Sequence, residues 1–171
     1  LDACANAGRT YLNGQSGYDE RLPPAFTRPI TVCANVPLGY LFKDWACSSG
    51  LSCSGTSNPT TVTFTGAGTI TATFVPYPTV TVKAKTQAGF RPGRELSGVR
   101  IGVDKNYYTT PFSVSLAPGR HTFTAPSVVT SGGVRYRFVG WMDERGATIS
   151  RLTTFTYDVQ SSRTFYALYQ S

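Results

Sequence analysis

The feature that most constrains this chain is a stretch it uses twice. The first copy runs from Tyr40 to Phe74 and the second from Tyr136 to Tyr169. Each opens aromatic-x-Phe-x-x-Trp, passes a turn containing glycine and serine, and resumes at a threonine pair, Thr60-Thr61 or Thr153-Thr154. Each closes on an alternating segment with an alanine two residues before a final aromatic, Ala72 and Phe74 or Ala167 and Tyr169. From Trp to closing aromatic is 29 residues in one copy and 28 in the other, which marks an internal repeat. Side chains of a strand alternate between faces, so Phe42 and Trp45 cannot share one core unless a bulge intervenes. Phe138 and Trp141 repeat the spacing. A bulge before each Trp is therefore expected, with Phe42, Trp45, Phe138 and Trp141 as core anchors. Val62, Phe64, Ile70, Ala72 and Phe74 read as a two-strand hairpin turned at Gly66-Ala67-Gly68.

The rest of the chain has the same texture. Ile30–Val36, Thr79–Lys85, Val99–Val103, Phe112–Leu116 and His121–Thr124 alternate, and turn residues separate them. Ala3–Leu12 holds a short strand, Asn13-Gly14 is a hairpin signal, and Gln87–Leu96 reads as a polar loop. Helical periodicity over ten residues occurs nowhere. The expected fold is all-β: two tandem small antiparallel β-sandwich or β-grasp-like domains, residues 1–76 and 77–171. The proline-stiffened Val75–Pro78 forms the junction.

The four cysteines, Cys4, Cys33, Cys47 and Cys53, all lie in the first half and include no C-x2-C pair. Zinc ligation prefers tighter pairs and histidines, so disulfides fit better and imply an oxidising, extracytoplasmic setting. Of three possible pairings, Cys4–Cys33 joining two strands and Cys47–Cys53 closing the post-Trp turn are expected. The chain begins at Leu1, which reads as a processed, secreted protein after signal removal. No apolar run is long enough for a transmembrane helix, so membrane insertion is not expected.

Charge divides the halves. Residues 77–171 hold 12 of the 16 basic and five of the nine acidic residues, whereas residues 1–76 are balanced at four and four. The bases are scattered singly along strands without an RNA-binding signature, so a solvated surface, open to an anionic one, is expected rather than nucleic-acid binding.

With these residues in view, the Trp units resemble the cell-surface repeats related to the internalin B-repeat. The carrying residues are Gly39-Tyr40-Leu41-Phe42-Lys43-Asp44-Trp45, Asn58-Pro59-Thr60-Thr61-Val62 and Thr69-Ile70-Thr71-Ala72-Thr73-Phe74. Some members also carry two cysteines after the Trp, as Cys47 and Cys53 stand here. Gly98–Phe123 is similar to the PEGA-type surface domain through Gly98-Val99-Arg100-Ile101, Thr110-Pro111 and Pro118-Gly119-Arg120-His121. The resemblance implies extracellular stalks, adhesins, filaments or modules appended to secreted enzymes. The second copy departs from it by lacking Asn-Pro and the cysteines.

Candidate chemistry is sparse. His121 has no nucleophile context, Asp143-Glu144 reads as a solvated turn, and Asp104 and Asp158 fit no calcium loop. Gly66-x-Gly68 lacks the strand-to-helix setting of phosphate binding. Tyr107-Tyr108 and the pair Tyr11 and Tyr18 are candidates for stacking on sugars. No catalytic residue, metal or cofactor is expected, and the chain does not read as an enzyme. Comparing the halves, only Leu1–Ala3 precede Cys4, so the first domain's opening strand is short or missing, while Thr79–Lys85 opens the second. An incomplete sheet is a template for another chain. The expected function is an extracellular structural protein, a subunit of a filament or pilus-like polymer whose partner is itself. The alternative is a carbohydrate- or cell-envelope-binding module of a larger secreted protein.

Overall fold

The computed structural model describes residues 10–13, 17–22, 30–53, 55–64, 66, 68–88 and 91–171; at 10–13, 17–22, 30, 64, 88, 91 and 92 only the backbone is described. The chain divides into two compact units, Leu1–Tyr77 and Pro78–Ser171. The described residues form strands without a helix, so the all-β expectation holds.

Unit 1 contains β1 (Thr10–Asn13), β2 (Gly17–Leu22), β3 (Ile30–Asn35), β4 (Tyr40–Cys47), β5 (Leu51–Ser52), β6 (Thr60–Phe64) and β7 (Gly68–Pro76). They form two sheets, ordered β1-β3-β6-β5 and β2-β7-β4. Val32, Ala34 and Val62 from the first pack against Trp45, Ile70, Ala72 and Phe74 from the second. Unit 2 contains β8 (Thr79–Ala88), β9 (Arg91–Leu96), β10 (Arg100–Val103), β11 (Asn106–Thr109), β12 (Phe112–Ser115), β13 (Gly119–Thr124), β14 (Val128–Ser131), β15 (Val134–Asp143), β16 (Thr148–Ser150), β17 (Thr154–Val159) and β18 (Arg163–Gln170). Its sheets run β11-β10-β13-β17 and β12-β8-β18-β15-β14, with β9 on β8 and β16 on β15. Period-two alternation builds the core: Val80, Val82 and Ala84 of β8 and Phe165, Ala167 and Tyr169 of β18 are fully buried. They meet Ile101, Phe123, Phe155 and Val159 of the other sheet. Burying each large side chain contributes about 1.5–3 kcal/mol.

The bulges stand where the spacing demands them. On β4 the register against β7 slips between Phe42 and Asp44, and on β15 the register against β18 slips between Phe138 and Gly140. One extra residue, Lys43 or Val139, brings Phe and Trp to the same core.

Three expectations need correction. The segments around Gly66–Gly68 do not form a hairpin, because β6 pairs with β3 and β5 while β7 lies between β2 and β4. Both strands already have their ladder partners, so the chain arches from one sheet to the other; β17 and β18 do the same. Nor does Asn13-Gly14 join a hairpin: β1 pairs in parallel with β3, and β2 pairs with β7 in the other sheet. Finally, Gln87–Leu96 is not a loop. The end of β8 and β9 form a bulged antiparallel pair that buries Leu96, and β9 is polar because it lies at a sheet margin. Gly93 is required there, since a Cβ would collide with the backbone of Thr86.

Candidate functional site

Each Trp works as a latch between sheets. Trp141 is fully buried, and its Nε1–H donates to the Thr153 carbonyl at 3.1 Å, just ahead of β17 in the opposite sheet. Trp45 donates in the same way to the Ser57 carbonyl at 2.8 Å, ahead of β6. Around each indole stands one aromatic set. Phe42 lies 5.2 Å from Trp45 and 6.1 Å from Phe74; Phe138 lies 6.0 Å from Trp141 and 5.7 Å from Tyr169. Phe42 and Phe138 are half-buried against these cores. In the second copy the closing aromatic carries a hydroxyl, and Tyr169 donates it to the Pro126 carbonyl at 2.9 Å. Burial pushes that phenol far above its ordinary pKa.

The copies differ in their turns. In the first, a disulfide joins Cys47 and Cys53, and β5 hydrogen-bonds to β6. Cys33 is also disulfide-bonded, while Cys4, its expected partner, lies outside the described residues. In the second, β16 pairs instead with β15, on the Trp sheet. Asn58 gives the Asn-Pro element its role. Its side-chain amide accepts from the Ala34 N–H at 2.9 Å and donates to the Ala34 carbonyl at 2.7 Å, extending the β3 ladder where β6 has not yet begun. The second copy does without it, because Thr153 accepts both the indole of Trp141 and the N–H of Ala125.

The polar candidates are engaged elsewhere. Asp143 accepts from the N–H groups of Arg145 and Ala147 and closes its own turn, and Glu144 pairs with Arg163 at 3.0 Å. Tyr108 faces inward and stacks on Phe112, so of the tyrosine pair only Tyr107 is exposed. The side chains of Tyr11 and Tyr18 lie outside the described residues. Among the described residues no three His, Cys, Asp or Glu side chains gather as a metal site.

His121 is held at both ring nitrogens. Nδ1 meets the Asp104 carboxylate at 2.7 Å and Nε2 meets the Ala117 carbonyl at 2.6 Å. Burial pushes the imidazole pKa down, but these acceptors and the Asp104 charge outweigh it and hold the pKa above 6.5. On Asp104 burial is likewise outweighed, by His121 and the Thr122 N–H, and its pKa is lowered. The His121 contribution is thus fully present below about pH 6.5, its unfolded pKa, and is lost as pH rises through the folded value. The Asp104 contribution is lost as pH falls through its own lowered value. Unit 2 should therefore melt at a lower temperature at pH 9 than at pH 6, and His121→Gln should remove that part of the pH dependence. Parallel melting curves for the two proteins across this range would refute the assignment.

Residues 27–78 match the family model of the divergent InlB B-repeat domain. The likeness read from Tyr40–Phe74 is borne out over this stretch; the match ends before Gly98–Phe123. Neither a curated protein nor a solved structure matches the chain. The B-repeat, together with the Cys47–Cys53 bond, marks a surface or extracellular module. Within the B-repeat, the bulge, the indole latch and the Asn58 clamp are the parts that the matched sequence builds.

Proposed function

We propose that this chain is a structural subunit of an extracellular filament or pilus-like polymer, with unit 1 of one copy meeting unit 2 of the next. What supports it is the seat beside the closing strand of each repeat. In unit 2 that seat holds β8, ten residues long and parallel to β18 from Val80 to Thr86. In unit 1 it holds β2, six residues long and antiparallel to β7. The shorter, reversed strand makes the smaller ladder, so it is the element a neighbouring copy's strand would most readily displace.

The outer margin of the Trp strand differs in the same sense. On β15 it is covered by β14 and β16, and the Phe138 N–H donates to the Ser127 carbonyl. Among the described residues β4 is the last strand of its sheet; its Trp45 N–H meets the Gly55 carbonyl, but no strand pairs with it on that side, and Val36, Leu38 and Leu41 stand exposed in β4 and the turn before it. A neutral unit and a basic unit also make two unlike ends, as a head-to-tail contact that does not close requires. In this reading the chain catalyses nothing. Electron microscopy and light scattering of purified protein over a concentration series should show linear assemblies. Monodisperse single particles at every concentration would overturn the proposal.

A further inference from the structure

We infer that the outer face of the β11-β10-β13-β17 sheet in unit 2 binds an acidic polysaccharide. Alternation sends Tyr108, Ile101, Phe123 and Phe155 into the core and leaves their neighbours outward. Four of these outward residues, Tyr107, Gly102, Thr124 and Thr154, stand directly opposite one another across all four strands. Tyr107 is 62% exposed, the largest exposure of any aromatic residue described. Gly102 makes room for it: a Cβ there would stand 3.3 Å from the tyrosine ring.

Beside this row the Arg100 guanidinium lies 4.3 Å from the Tyr107 ring centroid. Along β13 and β17 the threonines pair hydroxyl to hydroxyl, Thr124 with Thr154 at 3.2 Å and Thr122 with Thr156 at 3.4 Å. Arg120 stands exposed at the far end of β13, opposite Asp158. The face therefore offers an aromatic ring, a bank of hydroxyls and two guanidinium groups across about 15 Å, three strand spacings. Rings and hydroxyls of this kind suit sugars, and the arginines select a charged one.

Charge complementarity fixes the sign of the ligand. The acids of unit 2 are engaged: Glu95 with Lys83, Asp104 with His121, Asp143 and Glu144 with Arg163, and Asp158 with the Gln160 amide. Of these, Asp158 is on this face and Asp104 at its margin; Asp104 is neutralised by His121 when the imidazole is charged. Arg100 and Arg120 have no ion pair among the described residues, in a half that carries the chain's whole positive excess.

The full chain should bind immobilised heparin, used as a sulfated polysaccharide probe, and not uncharged dextran. Arg100→Gln with Tyr107→Ala should weaken heparin binding about tenfold, whereas Arg135→Gln with Arg137→Gln, on β15 of the other sheet, should change it by less than about twofold. If the tyrosine change disturbs folding, the single variants Arg100→Gln and Arg120→Gln decide, each with an expected loss of about threefold. Equal losses from both pairs would mean diffuse attraction without a platform and would overturn the inference. So would dextran binding as strong as heparin binding, or no heparin binding at all.

Discussion

Trp141→Ala should destabilise unit 2 by about 3–5 kcal/mol, the range for truncating a large buried aromatic. The side chain is fully buried, touches Phe138 and Phe155, and donates to Thr153 across the sandwich. Its loss leaves a cavity between the sheets and takes from the Thr153 carbonyl one of its two donors, the other being the Ala125 N–H. Trp141→Phe separates the two effects. It retains part of the packing and deletes the N–H, so its cost should be smaller. Trp45→Ala should act alike on unit 1, by somewhat less, because Trp45 lies in a smaller core. The remaining indole reports on the other unit, so in the Trp141→Ala protein urea titration followed by Trp45 fluorescence should leave the unit 1 transition in place, while amide hydrogen exchange across unit 2 reads the stability lost there. A Trp141→Ala protein whose unit 2 unfolds within about 1 kcal/mol of the parent would show that the latch carries little.

Asn58→Ala should cost unit 1 about 2–4 kcal/mol, because it leaves both the N–H and the carbonyl of fully buried Ala34 without their partner. Asn58→Asp should be worse than its size suggests. A carboxylate can still accept from the Ala34 N–H, but it sets a second acceptor against the Ala34 carbonyl. The decisive measurement is amide hydrogen exchange at Ala34, which should speed up in Asn58→Ala while exchange in unit 2 stays unchanged. Unaltered protection at Ala34 would mean that water replaces the clamp without cost.

The bulge could be read directly, because a three-residue spacing between two inward aromatics is incompatible with a period of two. The B-repeat likeness was equally legible, from Tyr40 to Phe74. The Asn58 clamp was not: a motif shows that Asn-Pro recurs but not which backbone its amide completes. Tyr107 and Tyr108 were indistinguishable as neighbours in sequence. Only the pairing of β10 with β11 turned one towards Phe112 and the other onto Gly102. The hairpin expectation at Gly66–Gly68 failed because alternation fixes which side of a strand is buried and is silent about which strand lies beside it.

By itself, then, the sequence determined what local chemistry controls: strands from alternation, bulges from aromatic spacing, a duplicated Trp unit, and a charge excess confined to one half. Tertiary structure decided the partners. It sent β6 and β17 to the sheet opposite β7 and β18, placed β2 reversed in the seat that β8 holds in unit 2, and turned the post-Trp segments of the two copies to different sheets. The physical reason is that backbone hydrogen bonds are the same for every residue but proline. Pairing is therefore chosen by which faces must close over a shared core, and that choice exists only once both sheets are present.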